Sequence, residues 1–193
     1  MKLTLRRVLA FFLLIALSVG FGFAWDAGAT AIERHRYPMP TELTDKISQY
    51  AGQYGVPEPI LWATVRTNSH FASNAVSIDG AVGLTQLMPE CFEWICVNLL
   101  DGEPKDAGML FDPDTNLSAG CAYISYLYDR YGVWDHVYAA YFATPQLVDA
   151  WLADPQNLSD QGVLQKYPDK STASYVDDMK TAVEFYNKLY YQT

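Results

Sequence analysis

Arg66-Thr67-Asn68-Ser69-His70-Phe71 closes a stretch of helical periodicity. Asn74-Ala75-Val76-Ser77-Ile78-Asp79-Gly80-Ala81-Val82-Gly83-Leu84-Thr85-Gln86-Leu87-Met88-Pro89 follows with no helical period at all. The change between these two pieces decides the fold class. In the first, Leu61, Val65 and Asn68 fall at i, i+4 and i+7 on one helical face, in a helix that opens near Pro59, a residue suited to the first turn. Asn68 therefore ends an inward-facing apolar stripe with an amide. In the second, Gly80 and Gly83 permit backbone angles that other residues resist, so the segment from Ala72 to Pro89 reads as a loop, with or without a short strand or hairpin.

Helical pattern flanks this excursion on both sides. Leu43, Ile47, Tyr50, Ala51 and Tyr54 recur at three- and four-residue steps and stop at Gly55, with Pro57 beyond. The pattern resumes from Pro89 to about Leu100. After an Asp/Gly/Pro-rich loop, Leu117, Cys121, Ile124, Tyr128 and Tyr131 keep the 4-3-4-3 step up to Gly132. A further helix covers Trp134 to about Ala143, and Thr144-Pro145 reads as an N-cap with proline at the first position of the next. The last helix carries Val176, Met179, Val183, Tyr186 and Tyr190 on one stripe. The expectation is a single, mainly α domain over 41–193 with one irregular or β excursion.

Composition sets the surroundings of that domain. The chain of 193 residues is 50% hydrophobic and carries a formal net charge of −9, which excludes disorder and a polytopic membrane protein. Lys2, Arg6 and Arg7 are the only charged residues before Trp25, so from Trp25 onward ten basic residues face twenty-two acidic ones, a net of −12. A surface that acidic repels phosphate backbones, and a nucleic-acid partner is not expected. The three basic residues precede an apolar run of 18 residues from Val8 to Trp25, read as a signal anchor or a cleavable signal peptide over 1–25. Length favours the anchor, while small residues at Gly22/Ala24 and Ala29/Ala31 suit a peptidase. Either reading carries the domain out of the cytoplasm, anchored to the cell membrane or secreted. Residues 26–40, with Glu33, Arg34, His35, Arg36 and two prolines, form a polar linker. Cys91, Cys96 and Cys121 match no metal-site spacing and read as small core residues or as a disulfide between Cys121 and one of the other two. His35, His70 and His136 are isolated, so neither a metal nor a cofactor is expected.

The quoted stretch resembles the soluble-lytic-transglycosylase (SLT) domain family. There a helix ends in Arg-Thr-Glu-Ser-x-Phe and is followed by Asn-Ala-x-Ser-x-x-Gly-Ala-x-Gly-Leu-Met-Gln-Leu-Met-Pro. Leu110-Phe111-Asp112-Pro113 with Asn116 resembles the family's Phe-Asp-Pro-x-x-Asn. Trp134-Asp135 with Ala139-Ala140-Tyr141 resembles the helix leading into Tyr-Asn-Ala-Gly-Pro, and Pro168 with Tyr175-Val176 fits Pro-x-x-Glu-Thr-Arg-x-Tyr-Val. The resemblance spans about Leu43 to Tyr190. It implies a goose-lysozyme-like fold of the lysozyme-like α+β class, peptidoglycan glycan strands as partner, and a substrate cleft carrying Ser69, Gln86, Tyr141, Phe142 and Tyr175.

Departures fall on the functional positions. Asn68 stands where the family has its catalytic Glu, Thr85 where it has Met, Phe142 and Thr144 where it has the Asn and Gly of Tyr-Asn-Ala-Gly-Pro, and Ser171 and Ala173 where it has the Glu and Arg of Glu-Thr-Arg. The resemblance implies that one carboxyl protonates the leaving oxygen between N-acetylmuramic acid and N-acetylglucosamine, then recovers a proton as the 1,6-anhydro ring closes. An amide has no proton to give in this range, and general acid–base catalysis contributes roughly 10²–10⁴-fold. Asp79, Glu90 and Glu93 are the nearest replacement acids in sequence. Tyr141, Phe142, Trp62 and Trp151 read either as core or as sugar platforms, with Gln86 and Asn68 offering amide hydrogen bonds. The leading expectation is a pseudoenzyme that binds glycan or a cell-wall protein partner. Its rivals are an active lytic transglycosylase with a displaced acid and a structural envelope protein whose cleft Phe142 fills.

Overall fold

The computed structural model describes Phe12, Leu17, Ser18, Phe21, Trp25, residues 28–100 and residues 102–192. The anchor or signal reading of Val8 to Trp25 lies outside the described residues apart from those five. Among the described residues no helix is long and apolar enough to cross a membrane. The chain divides into two compact units, Met1–Pro38 and Met39–Thr193. In the first, residues 28–36 of the expected linker are helical.

The second unit is mainly helical. It contains α1 (Thr41–Tyr54), α2 (Glu58–Ser69), α3 (Pro89–Leu99), α4 (Pro113–Tyr131), α5 (Trp134–Phe142), α6 (Pro145–Leu152) and α7 (Lys170–Tyr186). The punctuation is local. Gly55 and Gly132 take left-handed angles (φ 67° and 64°) to end α1 and α4, a conformation that favours glycine. Asp112 caps α4 by accepting the Thr115 N–H (2.9 Å) and hydroxyl (2.8 Å), with Pro113 at the first position. Asp169 does the same for α7 through the Thr172 N–H and hydroxyl. Those donors hold both carboxyls below the usual carboxylate range.

The apolar faces meet around α4. Helix α1 packs on α4, α5 lies between α4 and α7, and α2 runs along α7. Ile47, Leu61, Phe92, Ile95, Leu117 and Leu127 are fully or almost fully buried where these faces converge. Trp62 belongs to this core, wholly buried against Phe71 and Tyr186 at ring-centroid distances of 6.2 Å. Trp151 is buried too, edge-on to Tyr167. The buried stripe of the last helix runs Tyr175, Val176, Met179, Ala182 and Tyr186, and the π-turn Asn187–Tyr191 then buries Leu189 rather than Tyr190. The wider π-turn shifts the buried position from Tyr190, where the α-helical step put it, to Leu189, and Val183, expected on the stripe, is half-buried inside α7. All three cysteines are thiols, with Cys96 and Cys121 buried, which is the core reading and not the disulfide.

Residues 72–88 form the irregular excursion. Two isolated antiparallel bridges, Val76 with Val82 and Val82 with Leu87, are its only β pairing. The Val82 N–H donates to the Leu87 carbonyl (2.9 Å) and the reverse bond measures 3.2 Å. The loop is pinned from beneath by Asn116 of α4, a fully buried amide with both ends in use. Its Nδ2 donates to the Val82 (3.0 Å) and Leu110 (2.9 Å) carbonyls, while its Oδ1 accepts the Thr85 N–H (2.8 Å) and hydroxyl (2.7 Å). Gly83 (φ 79°) passes so close that a Cβ there would strike the Asn116 amide and the Leu110 carbonyl.

Candidate functional site

The last turn of α2 delivers the first wall of a cleft. His70 and Phe71 both adopt positive φ (49° and 69°), which ends the helix at Ser69 and turns the chain away, leaving Asn68 facing the loop above it. Asn68 Nδ2 donates to the Thr85 carbonyl at 3.2 Å, and Tyr175 of α7 lines the same cleft. The Thr85 carbonyl also accepts the Tyr141 hydroxyl at 2.8 Å. Loop, α2 and α5 are thus tied together at one backbone oxygen.

Around this junction lies a cleft of about 590 Å³. Of the expected site residues, Asn68, Gln86, Tyr141, Phe142 and Tyr175 line it together. Ser69 does not. Its hydroxyl turns back to donate to the Val65 carbonyl of its own helix (3.0 Å). Gln86 takes φ 52° and spends its side-chain NH₂ on the Gly83 (2.8 Å) and Ala75 (3.1 Å) carbonyls, so it braces the loop and keeps only acceptor capacity for a ligand. Phe142 stacks on Tyr175 at 4.7 Å and 22° while remaining 48% exposed, an apolar face at the cleft rim. Trp62 and Trp151, the other two candidate platforms, are in the core and do not reach the cleft.

The cleft also takes in Thr67 and Met88, which the sequence did not single out, and Cys91 and Thr144, which it marked for other roles. Thr67 presents a buried hydroxyl without a hydrogen-bond partner to the cleft wall. Met88 and Cys91, three apart across the start of α3, share a helical face, a spacing from which their joint placement could have been read. Thr144 stands at the opening of α6, where its hydroxyl accepts the Leu147 N–H (3.4 Å). Its backbone sits at φ 146°, ψ 153°, a region essentially restricted to glycine.

Electrostatically the cleft is close to neutral. Of the described residues lining it, Asp79 alone carries a formal charge, at the exposed rim, and Glu90 and Glu93 are not among them. Burial drives the Tyr141 and Tyr175 phenols well above their ordinary range. Burial likewise pushes the Cys91 thiol up to about 11, against a hydrogen bond with Tyr123. None of these groups exchanges its proton near neutral pH, and Asn68 has none to exchange. Among the described residues no three His, Cys, Asp or Glu side chains gather as metal ligands. The arrangement offers apolar aromatic faces, amides and hydroxyls to an uncharged ligand.

Residues 45–163 match the transglycosylase SLT domain. The chain is similar to the soluble lytic murein transglycosylase of Escherichia coli K12, with 27% identity over 151 residues, covering 77% of this chain and 23% of that protein. It is similar to the membrane-bound lytic murein transglycosylase C of Histophilus somni, with 34% identity over 107 residues, covering 54% of this chain and 28% of that one. Among solved structures it resembles an inactive glutamate-to-glutamine mutant of the lytic transglycosylase Slt from Pseudomonas aeruginosa. That match has a TM-score of 0.70 and 30% identity, over 81% of this chain and 25% of the other. The chain spans about a quarter of the length of these relatives.

Proposed function

Since the chain belongs to the transglycosylase SLT domain family, whose fold it shares, we propose that it engages peptidoglycan glycan strands outside the cytoplasm as a catalytically impaired member. One observation carries this reading: Asn68 lines the cleft with its amide donated to the Thr85 carbonyl. A side chain that donates there and cannot ionise is compatible with holding a ligand and not with passing it a proton. An amide in place of a glutamate accompanies inactivity in the Pseudomonas aeruginosa relative. The near-neutral cleft, with aromatic faces and an unsatisfied Thr67 hydroxyl, suits sugar rings, which present apolar faces and hydroxyl edges. Residues 1–25 act in this reading as a membrane anchor or export signal and 26–40 join them to the glycan-binding domain at 41–193. A cell-wall protein is a further partner.

The test is release of anhydro-muropeptides from purified peptidoglycan by the full chain beside its Asn68→Glu variant, with co-sedimentation measured in parallel. The wild type is expected to sediment with peptidoglycan and to release nothing above buffer. Sedimentation that fails for a folded chain supports a structural envelope role instead. A second reading follows from Asp79 at the cleft rim: turnover by the wild type that disappears in Asp79→Asn would establish a displaced acid and an active enzyme.

A further inference from the structure

Residues 153–168 join α6 to α7 and line no part of the cleft. Apart from the short turn Pro155–Asn157, this strap folds on itself. Leu158 and Leu164 form an isolated antiparallel bridge, the Ser159 N–H donates to the Val163 carbonyl (2.8 Å), and the Gln165 N–H donates to the Asn157 carbonyl (2.8 Å). Its hold on the helical body is slight. Among the described residues one hydrogen bond joins it to α4, α5 or α7, from the Leu164 N–H to His136 Nε2 of α5 (3.1 Å). Leu164 is buried, and Tyr167 lies edge-on to Trp151 with its hydroxyl buried and unpartnered, so these two add packing alone.

The acceptor of that one bond is titratable, and the geometry fixes its state. A backbone N–H can only donate, so Nε2 is bare and the ring carries its proton on Nδ1. A second proton, on Nε2, would set two N–H groups against each other in a buried place. The surroundings do little to hold the charge that proton brings. From α4 comes the edge of the Tyr131 ring, 6.2 Å away, whose hydroxyl is engaged with Asp149 of α6, itself ion-paired with Arg130. On α5, Asp135 favours the charged ring but is paired with Lys180 of α7 (2.8 Å). Asp177 of α7 and Asp135 both bear on Tyr167 of the strap, a phenol that burial pushes up to about 12 and keeps neutral. Burial outweighs Asp135, and His136 takes up a proton less readily than an exposed imidazole.

An opened strap removes that penalty, since an exposed ring binds its proton at about pH 6.5. The open form therefore binds the proton more tightly than the closed one, and acid shifts the population toward it. The bridge and the bonds within 157–165 do not involve His136, so the strap can leave as one unit. The helices it leaves are capped by their own residues, Gly132 for α4 and Asp169 for α7. What slackens is the connection between two elements that both reach the cleft, α6 through its cap Thr144 and α7 through Tyr175.

We propose that His136 and the Leu164 N–H form an acid-released latch: protonation of the ring frees the strap over 153–168 as a unit while α4, α5 and α7 stay folded. The latch is independent of what the cleft binds. The experiment is native-state hydrogen exchange of the full chain, followed by NMR in low urea at pH 7 and pH 5 with the intrinsic exchange rates divided out. Titration of the His136 ring nitrogens and the variant His136→Gln accompany it, since a glutamine carbonyl can accept the Leu164 N–H and takes up no proton. The ring is expected as the Nδ1–H tautomer at pH 7. From pH 7 to pH 5 the Leu164 amide loses protection severalfold, up to the limit of about 25-fold set by an exposed ring of pKa about 6.5, and the loss follows the His136 titration. At pH 5 that amide exchanges at least about tenfold faster than the amides of α4 and depends less on urea, as a local opening does. In His136→Gln the loss disappears. Equal protection of Leu164 at both pH values, a ring proton on Nε2 at pH 7, or exchange of Leu164 with the rate and urea dependence of α4 overturns the latch. So does a loss that persists in the folded variant, and if the variant does not fold, the wild-type measurements alone decide.

Discussion

Asn68 and Thr144 mark two ways in which a residue departs from its surroundings. Asn68 is locally content: its amide donates to the Thr85 carbonyl, which also accepts Tyr141. A carboxyl introduced there would face a carbonyl oxygen, which favours its protonated form, the form a general acid needs. Asn68→Glu alone is still expected to restore little turnover, because Phe142 stacked on Tyr175 and the side chain of Thr144 occupy the cleft beside it. Asn68→Glu with Phe142→Asn and Thr144→Gly should release more anhydro-muropeptide than the separate changes add up to. Equal, additive rates would show that the cleft had not diverged with the acid. Thr144 is strained, and Thr144→Gly should stabilise the fold. Relief of the backbone conformation is worth about 1–3 kcal/mol, against a few tenths for the weakened cap and up to about 1 kcal/mol for added freedom in the unfolded chain. A rise in melting temperature checks this, and a fall would show that the cap outweighs the strain.

At the scale of elements, the loop over 72–88 has little pairing of its own and takes its shape from α4. Asn116 satisfies four backbone or hydroxyl groups, two of them in Thr85, and Gln86 braces Ala75 and Gly83 from the other side. Asn116→Ala leaves the Thr85 N–H and the Val82 and Leu110 carbonyls without this partner in a buried place, and should destabilise the protein by on the order of 3 kcal/mol. Denaturant titration would read it, and a loss below about 1 kcal/mol would mean that the loop holds itself. The helices are more autonomous. Their ends are written at Gly55, Asp112, Gly132 and Asp169, so each can start or stop without reference to the rest.

For the whole molecule, acid sensitivity is set by a group remote from the cleft. His136 is buried in α5, edge-on to Tyr131, and its Nε2 accepts the Leu164 N–H (3.1 Å), tying the segment around the Leu158–Leu164 bridge to the helices. Burial lowers its pKa, and the Asp135 carboxylate opposes that only in part. The unfolded chain therefore binds a proton more readily than the fold between the lowered value and about 6.5, so stability falls as pH drops through that window. Melting temperature should decline from pH 7 to pH 5, and His136→Gln should flatten the decline although it lowers stability at pH 7. Identical slopes in the two proteins would place the sensitivity elsewhere.

Periodicity and caps fixed the helices because both are local: three- and four-residue recurrence sets which side of a helix is apolar, and the glycines and aspartates that end it act within a turn. The same reasoning put Asn68 at the close of an inward stripe, and the loop with its two glycines was visible as a loss of period. What the side chains do in the cleft was not local. Asn68 meets Thr85 across 17 residues, Thr85 meets Asn116 across 31, and Tyr141 meets Thr85 across 56. A sequence records that an amide or phenol is present, but only the packed structure decides which partner uses its hydrogen-bonding capacity. Hence Ser69 and Gln86 serve nearby backbone carbonyls, Trp62 and Trp151 go to the core, and the Asn68 cleft exists only where α2, α5, α7 and the loop over 72–88 come together.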